Sequence, residues 1–285
     1  MVRWTLRAPS TLLHRLHDHR VAPGIFTLVA GTCVLGSGFA ILFAFPVIAF
    51  LALVSGLSFW LLFTYYFFTV MTVSRARPSL TAALDGDWML IVVSTQSVSI
   101  LSTLVSGDLT RWGEVLLGVS VSLFLLGALL YILLFTLVLY RFLFFPVDPI
   151  RFTPPYWITM GAVAITTLAG ALLALDPRTS VLLSEFRPFI IGSTLLAWVT
   201  ATWWIPLLVS LGLWRHLVRR VPIRYDIEIW SMIFPLGMYA VCTYYLIELL
   251  GWTGLNPIAS GVGGAAILLW VLAAIGLGRL LTRIL

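Results

Sequence analysis

Charge is what this chain has least of. Charged residues make up 10% of its 285 positions and hydrophobic ones 61%, and lysine is absent, so all 17 basic residues are arginine. A soluble domain of this size needs far more polar surface, and the mean hydropathy of +1.06 belongs to an integral membrane protein. Cysteine is nearly missing too. Cys33 and Cys242 both fall in apolar runs, which excludes a disulfide framework and points to small packing residues. No apolar run carries Asp, Glu, Arg or His near its centre. That argues against an intramembrane protease, a metal-dependent membrane enzyme or a carboxylate proton relay, each of which needs ionisable groups at depth. A serine nucleophile would lack a positioned base. No enzyme activity, cofactor or metal is expected.

What is present is a series of apolar runs of about the length that crosses a bilayer. Eight spans are expected, near 25–45, 46–72, 88–106, 114–142, 156–175, 188–214, 229–250 and 261–280. Asp87 is a candidate cap for the third, and Thr153 ahead of Pro154 and Pro155 for the fifth. The segment Gly251–Pro257 reads as a turn before the last span. Residues 1–22 form a separate N-terminal segment and 23–285 the transmembrane domain. In the former, Leu12, Leu13 and Leu16 suggest an amphipathic surface helix. A metal site from His14, His17 and His19 is the sharper alternative, but the loops offer no second ligand cluster. Arg3, Arg7, Arg15 and Arg20 precede the first span without a cleavage-site pattern, so no secretory signal is read there.

Loop arginines set an orientation. Alternate connections starting with the N-terminus hold 4, 2, 2, 4 and 2 arginines, and the others 0, 1, 2 and 0. That bias places both termini in the cytoplasm of a cell-membrane protein. It also accounts for the net charge of +6 without a nucleic-acid partner.

A repeat emerges when the odd spans are stacked: FTLVAGTCVLGSG from Phe26, WMLIVVSTQSVSI from Trp88, WITMGAVAITTLAG from Trp157 and WSMIFPLGMYAVCT from Trp230. Each opens with an aromatic and gathers small, mildly polar residues. The even spans are longer and bulkier, so the unit is a helical hairpin repeated four times. Small residues allow close helix approach and hydroxyls are costly against lipid, so the odd helices belong inside and the even helices outside. Either an axial pathway or simple packing satisfies that arrangement. The pathway would be lined by Gly31, Thr32, Thr95, Gln96, Thr159, Gly161, Thr166, Ser231 and Gly237. Weak dipoles of this kind could pass small anions or small neutral solutes. For each hydroxyl, back-bonding to its own helix is the commoner fate. Gln96 needs partners, either as interhelical glue or on the pathway. In the seventh span Pro235 breaks the backbone ladder beside Phe234. A phenylalanine there is ordinarily packing, but Pro235 and Gly237 let the helix bend and make Phe234 a candidate gate.

Several long motifs resemble a known family: QSVSIL (Gln96–Leu101), RFLFFPVDP (Arg141–Pro149), TPPYWITMGAVAITTLAGA (Thr153–Ala171), WWIPLLVSLGLWRHLVRRVPIRYD (Trp203–Asp226) and WSMIFPLGMYAVCT (Trp230–Thr243). They are similar to the tellurite-resistance/C4-dicarboxylate transporter family, within the superfamily of plant slow-type anion channels and fungal malate permeases. The resemblance implies ten helices in five hairpins, inner helices lining a pore, a homotrimer with one pore per protomer, and a phenylalanine plug that maps to Phe234. It implies small anions as substrates: monovalent anions, or C4-dicarboxylates such as malate. Two features depart from it. Eight spans are read instead of ten, with GIFTLVAGTCVLGS resembling the family's second inner helix, so its first hairpin has no counterpart here. Cys33 and Thr159 stand where the family often has asparagine. A non-conducting remnant or partner subunit is therefore the rival expectation.

Overall fold

The computed structural model describes residue 19 and residues 21–75, 78–107, 109, 112–177 and 181–284. The leucines and the histidines 14 and 17 of the N-terminal segment lie outside these residues. Eight long helices follow in four hairpins: α1 (Phe26–Leu42) with α2 (Pro46–Val73), α3 (Leu90–Ser106) with α4 (Gly113–Phe144), α5 (Ile158–Leu175) with α6 (Val181–Leu213), and α7 (Trp230–Leu250) with α8 (Asn256–Ile284). All eight are long and apolar enough to cross a membrane.

The repeat extends to how the inner helices begin. Each of α1, α3, α5 and α7 is entered through a short 3-10 turn: Ala22–Ile25, Gly86–Met89, Pro154–Trp157 and Ile227–Ile229. The caps differ from expectation. Asp85, not Asp87, accepts from the Asp87 N–H at 3.1 Å, and Asp226 accepts from the Glu228 N–H at 3.0 Å in the same way. Thr153 makes no side-chain cap; its carbonyl takes the Tyr156 N–H. In the 3-10 turn the i+3 amide goes to the carbonyl, and at Asp226 the Ile229 N–H does the same beside the side-chain cap. Two boundaries also move. Helix α6 runs through Pro188 and Pro206, and α8 starts at Asn256 with Pro257 in its first turn, where no intrahelical donor is lost. At the α1–α2 corner the Phe45 N–H reaches back to the Phe39 carbonyl at 3.1 Å, with Ala44 at φ 52°. The helix thus ends with alanine in the left-handed position usually given to glycine.

Each hairpin packs its odd helix against its even one, and the odd helices follow one another in the order α1–α3–α5–α7. The even helices lie outside: α2 also packs behind α3, and α4 behind α5. Buriedness grades along the inner row. Within the apolar stretches, 89% of residues are buried for α3 and for α5, but 44% for α7 and 28% for α1. Among the described residues α1 and α7 share no extended packing, so the inner row is an arc open between its two ends. The expected inner ring is thus enclosed only at its two middle helices.

Candidate functional site

The concave side of the arc carries a chain of three cavities. The first, of about 470 Å³, lies where the inner helices begin and is lined by Gly24, Thr27, Gly31 and Val34 of α1, Asp87, Leu90 and Val93 at α3, Ile158 of α5, and Trp230, Ser231, Phe234 and Pro235 of α7. The second, of about 280 Å³, continues past Val34, Ser97, Ile100, Ile165, Leu168 and Met238. The third, of about 530 Å³, shares Leu172 and Tyr245 with the second and reaches Asp176 and Glu248 at the far end. On α7 the lining residues Ser231, Phe234, Met238, Val241, Tyr245 and Glu248 recur every three or four positions, one face of a helix. Phe234, 37% exposed, lines the first cavity one turn before Met238 of the second, and Val34 of α1 lines both.

Gly31, Ser231, Phe234 and Pro235 are therefore brought together on this face. Most of the other expected lining residues are not. Trp60 of α2 donates its indole N–H to Thr95 at 2.9 Å, and Thr95 donates to the Ile91 carbonyl at 2.8 Å. Trp204 of α6 donates to Thr159 at 2.6 Å, and Thr159 to the Tyr156 carbonyl at 2.6 Å. Gln96 donates to the Phe124 carbonyl of α4 at 3.1 Å over Gly127, where a Cβ would meet the Gln96 amide nitrogen at 2.4 Å. These three side chains point at outer helices and not into the groove. Thr32 and Thr166 bond to their own helix, at Leu28 and Ala162. Gly161 lies against Pro235, with room for no Cβ, and Gly237 faces open space without lining any of the three cavities. For the hydroxyls and the Gln96 amide nitrogen the reason is common: a buried donor must be satisfied, and here the outer helices and the inner helices' own carbonyls accept from them.

A third tryptophan, Trp198 of α6, repeats the device on α7 by donating to Thr243 at 2.9 Å. Ser99 and Thr103 of α3 tie to Ser120 of α4. The lining that remains is mainly hydrocarbon, with Thr27, Ser37, Ser97, Thr103, Ser231 and Tyr245 as its hydroxyls and Asp87, Asp176 and Glu248 as its carboxylates. Ile165 and Leu168 were not read as lining. The outer-helix tryptophans hold the missing signal, since a buried indole N–H requires an acceptor on the neighbouring helix. The mouth is held by Arg141 of α4, which donates to the Leu84 carbonyl and the Tyr156 hydroxyl and lies 5.6 Å from the Tyr156 ring centre. It thereby joins the starts of α3 and α5, where Gly86 approaches so closely that a Cβ would lie 2.0 Å from the Pro155 carbonyl oxygen.

The sequence profile of the voltage-dependent anion channel family matches residues 1–277. The chain belongs to that family. It is 40% identical over 136 residues to an uncharacterized membrane protein of Mycobacterium tuberculosis, a stretch covering 47% of this chain and 66% of the relative. Two uncharacterized transporters of Methanocaldococcus jannaschii are similar at 24% over 193 residues (67% of this chain, 54% of the relative) and 23% over 284 residues (96% and 78%). The chain thus spans just under two thirds of the mycobacterial relative and about half of the first archaeal one. No solved structure matches it.

Proposed function

We propose that this chain moves small anions across the cell membrane along the groove, with Phe234 as the plug. Monovalent anions or a C4-dicarboxylate such as malate are the substrates, and any tellurite resistance is a by-product. The observation that carries the reading is the face shared by α1, α3, α5 and α7, with Phe234 lining the first cavity along it one turn before Met238 of the second. Membership of an anion-channel family and the transporter names of the archaeal relatives support it. Apolar lining favours passive passage through a constriction that excludes water when narrow. The family resemblance adds a homotrimer, and the loop-arginine bias favours cytoplasmic termini. Efflux of chloride, nitrate and malate from liposomes holding the purified chain is the test. Phe234→Ala raises the flux of the preferred anion by about tenfold or more, the equivalent of removing roughly 1.4 kcal/mol of barrier. A folded variant with unchanged flux removes Phe234 as the plug.

The open arc favours a second reading, in which the chain conducts only as a subunit beside a partner. An anion crossing between α1 and α7 would be open to hydrocarbon on one side, where a bare charge is strongly disfavoured. Flux from the purified chain alone separates the two readings.

A further inference from the structure

We propose that Asp87 makes passage along this groove respond to pH, barring anions from the cavity that holds Phe234 when ionised and admitting them when protonated. The inference rests on the transport reading above. Asp87 lines the first cavity together with Trp230, Ser231 and Phe234, so its carboxyl lies at the mouth through which an anion reaches the plug. It is half-buried, and no described hydrogen bond or ion pair reaches its carboxyl oxygens; its N–H donates to Asp85. Burial acts on it most, and after burial two charges, those of Asp85 on its own turn and Glu228 on the turn before α7. Both are negative.

Among the described residues, the groups on the other elements around this turn leave the Asp87 carboxyl without a counter-ion. From α4, Arg141 spends its guanidinium on the Leu84 carbonyl and the Tyr156 hydroxyl. Tyr156, on the turn before α5, is the acceptor in that contact. Ahead of α7, Asp226 adds a further carboxylate, already accepting the Glu228 N–H. His19 contributes its backbone carbonyl to Trp88 beside Asp87. The turn before α1, Ala22–Ile25, offers no titratable side chain. The start of α3 does favour the ionised form, but a helix terminus amounts to about half a unit charge, and two whole negative charges oppose it.

A fixed negative charge about 10 Å from the path, at the effective permittivity of a protein boundary, lowers anion occupancy there by about tenfold. Proton binding from the bulk on that side removes this part of the barrier without any other group changing charge. The experiment is anion efflux, with chloride and nitrate as probes, from liposomes holding the purified full chain, between about pH 8 and about pH 5, the range a crowded carboxyl can span. Wild-type flux rises about tenfold on acidification. Asp87→Asn gives the acid-side flux at every pH, and Asp87→Glu keeps the wild-type profile. Glu228→Gln moves the activation midpoint to lower pH, because one negative neighbour fewer makes the carboxyl easier to ionise. Flux that is present but independent of pH overturns this proposal alone, as does acid activation that survives Asp87→Asn. If Asp87→Asn does not fold, an unmoved midpoint in Glu228→Gln overturns it equally. Wild-type protein without flux at any pH ends the transport reading and this one with it.

Discussion

Gly161 is the residue on which the position of the candidate plug depends. A Cβ built there would lie 2.8, 2.9 and 3.1 Å from three carbons of Pro235, the residue next to Phe234. Carbons in normal contact stand roughly 3.5–4.0 Å apart, so Gly161→Ala falls short by about 0.7 Å at the closest atom. Neither α5 nor the proline ring can bend away cheaply, because α5 is buried on nearly every side and Pro235 has no flexible side chain. The strain is relieved by α7 moving off α5, at a cost of about 1–3 kcal/mol, the usual penalty for overpacking a core by one methyl group. Gly237 supplies the control. It lies inside α7 just beyond Pro235, and a Cβ there meets nothing within 4 Å. Both substitutions gain the same helix propensity, up to about 1 kcal/mol, so their difference isolates the clash. Unfolding of both variants in the same detergent, followed by tryptophan fluorescence, should place Gly161→Ala about 1–3 kcal/mol below Gly237→Ala. Because Phe234 moves with Pro235, the first variant should also raise anion flux, and the second should not. Equal stability of the two refutes the argument that close packing of α5 on Pro235 fixes α7.

Two further outcomes follow from the same geometry. A double-mutant cycle of Thr159→Val and Trp204→Phe should return a coupling of about 1 kcal/mol, the net worth of one buried hydrogen bond; a value near zero would mean that the 2.6 Å contact does not hold α6 to α5. Ala44→Gly should stabilise the fold by roughly 1 kcal/mol, since alanine at φ 52° bears the left-handed penalty that glycine escapes. A lower unfolding temperature for that variant would overturn the left-handed reading of the corner.

The eight helices were legible because hydrocarbon imposes a length, and runs such as Phe26–Leu42 or Leu90–Ser106 have no other use. The hairpin repeat was legible because inner and outer helices meet different surroundings and differ in bulk. Side-chain direction was not. A helix buried all round, as α3 and α5 are, has no polar face to mark its phase, so Thr95, Gln96 and Ser97 look alike in sequence while only Ser97 faces the groove. Nor could spacing alone say that Gly161 makes room for a proline and not for a solute. Gly31 and Ser231 were found for a better reason: they belong to α1 and α7, which border the opening and keep an exposed side.

Two properties of the bundle then belong together. Most polar groups of the inner helices are satisfied by their own carbonyls or by outer helices, the latter through pairs such as Trp60–Thr95, Trp204–Thr159 and Trp198–Thr243, and not by the groove. The concave face is left mainly apolar, and the sides of α1 and α7 that border the opening, with Leu35, Ile41, Val241 and Tyr244, are as exposed as the outer surface. Such a surface is as comfortable against lipid or another apolar helix as against itself, because lipid tails and leucine side chains are equivalent solvents. Stability of the four hairpins therefore does not require the arc to be closed. Ion passage does, since an anion tolerates hydrocarbon on no side. Folding and transport thus make separate demands on this chain. The first is met by contacts between the inner and outer helices, and the second depends on what stands between α1 and α7 when Phe234 moves aside.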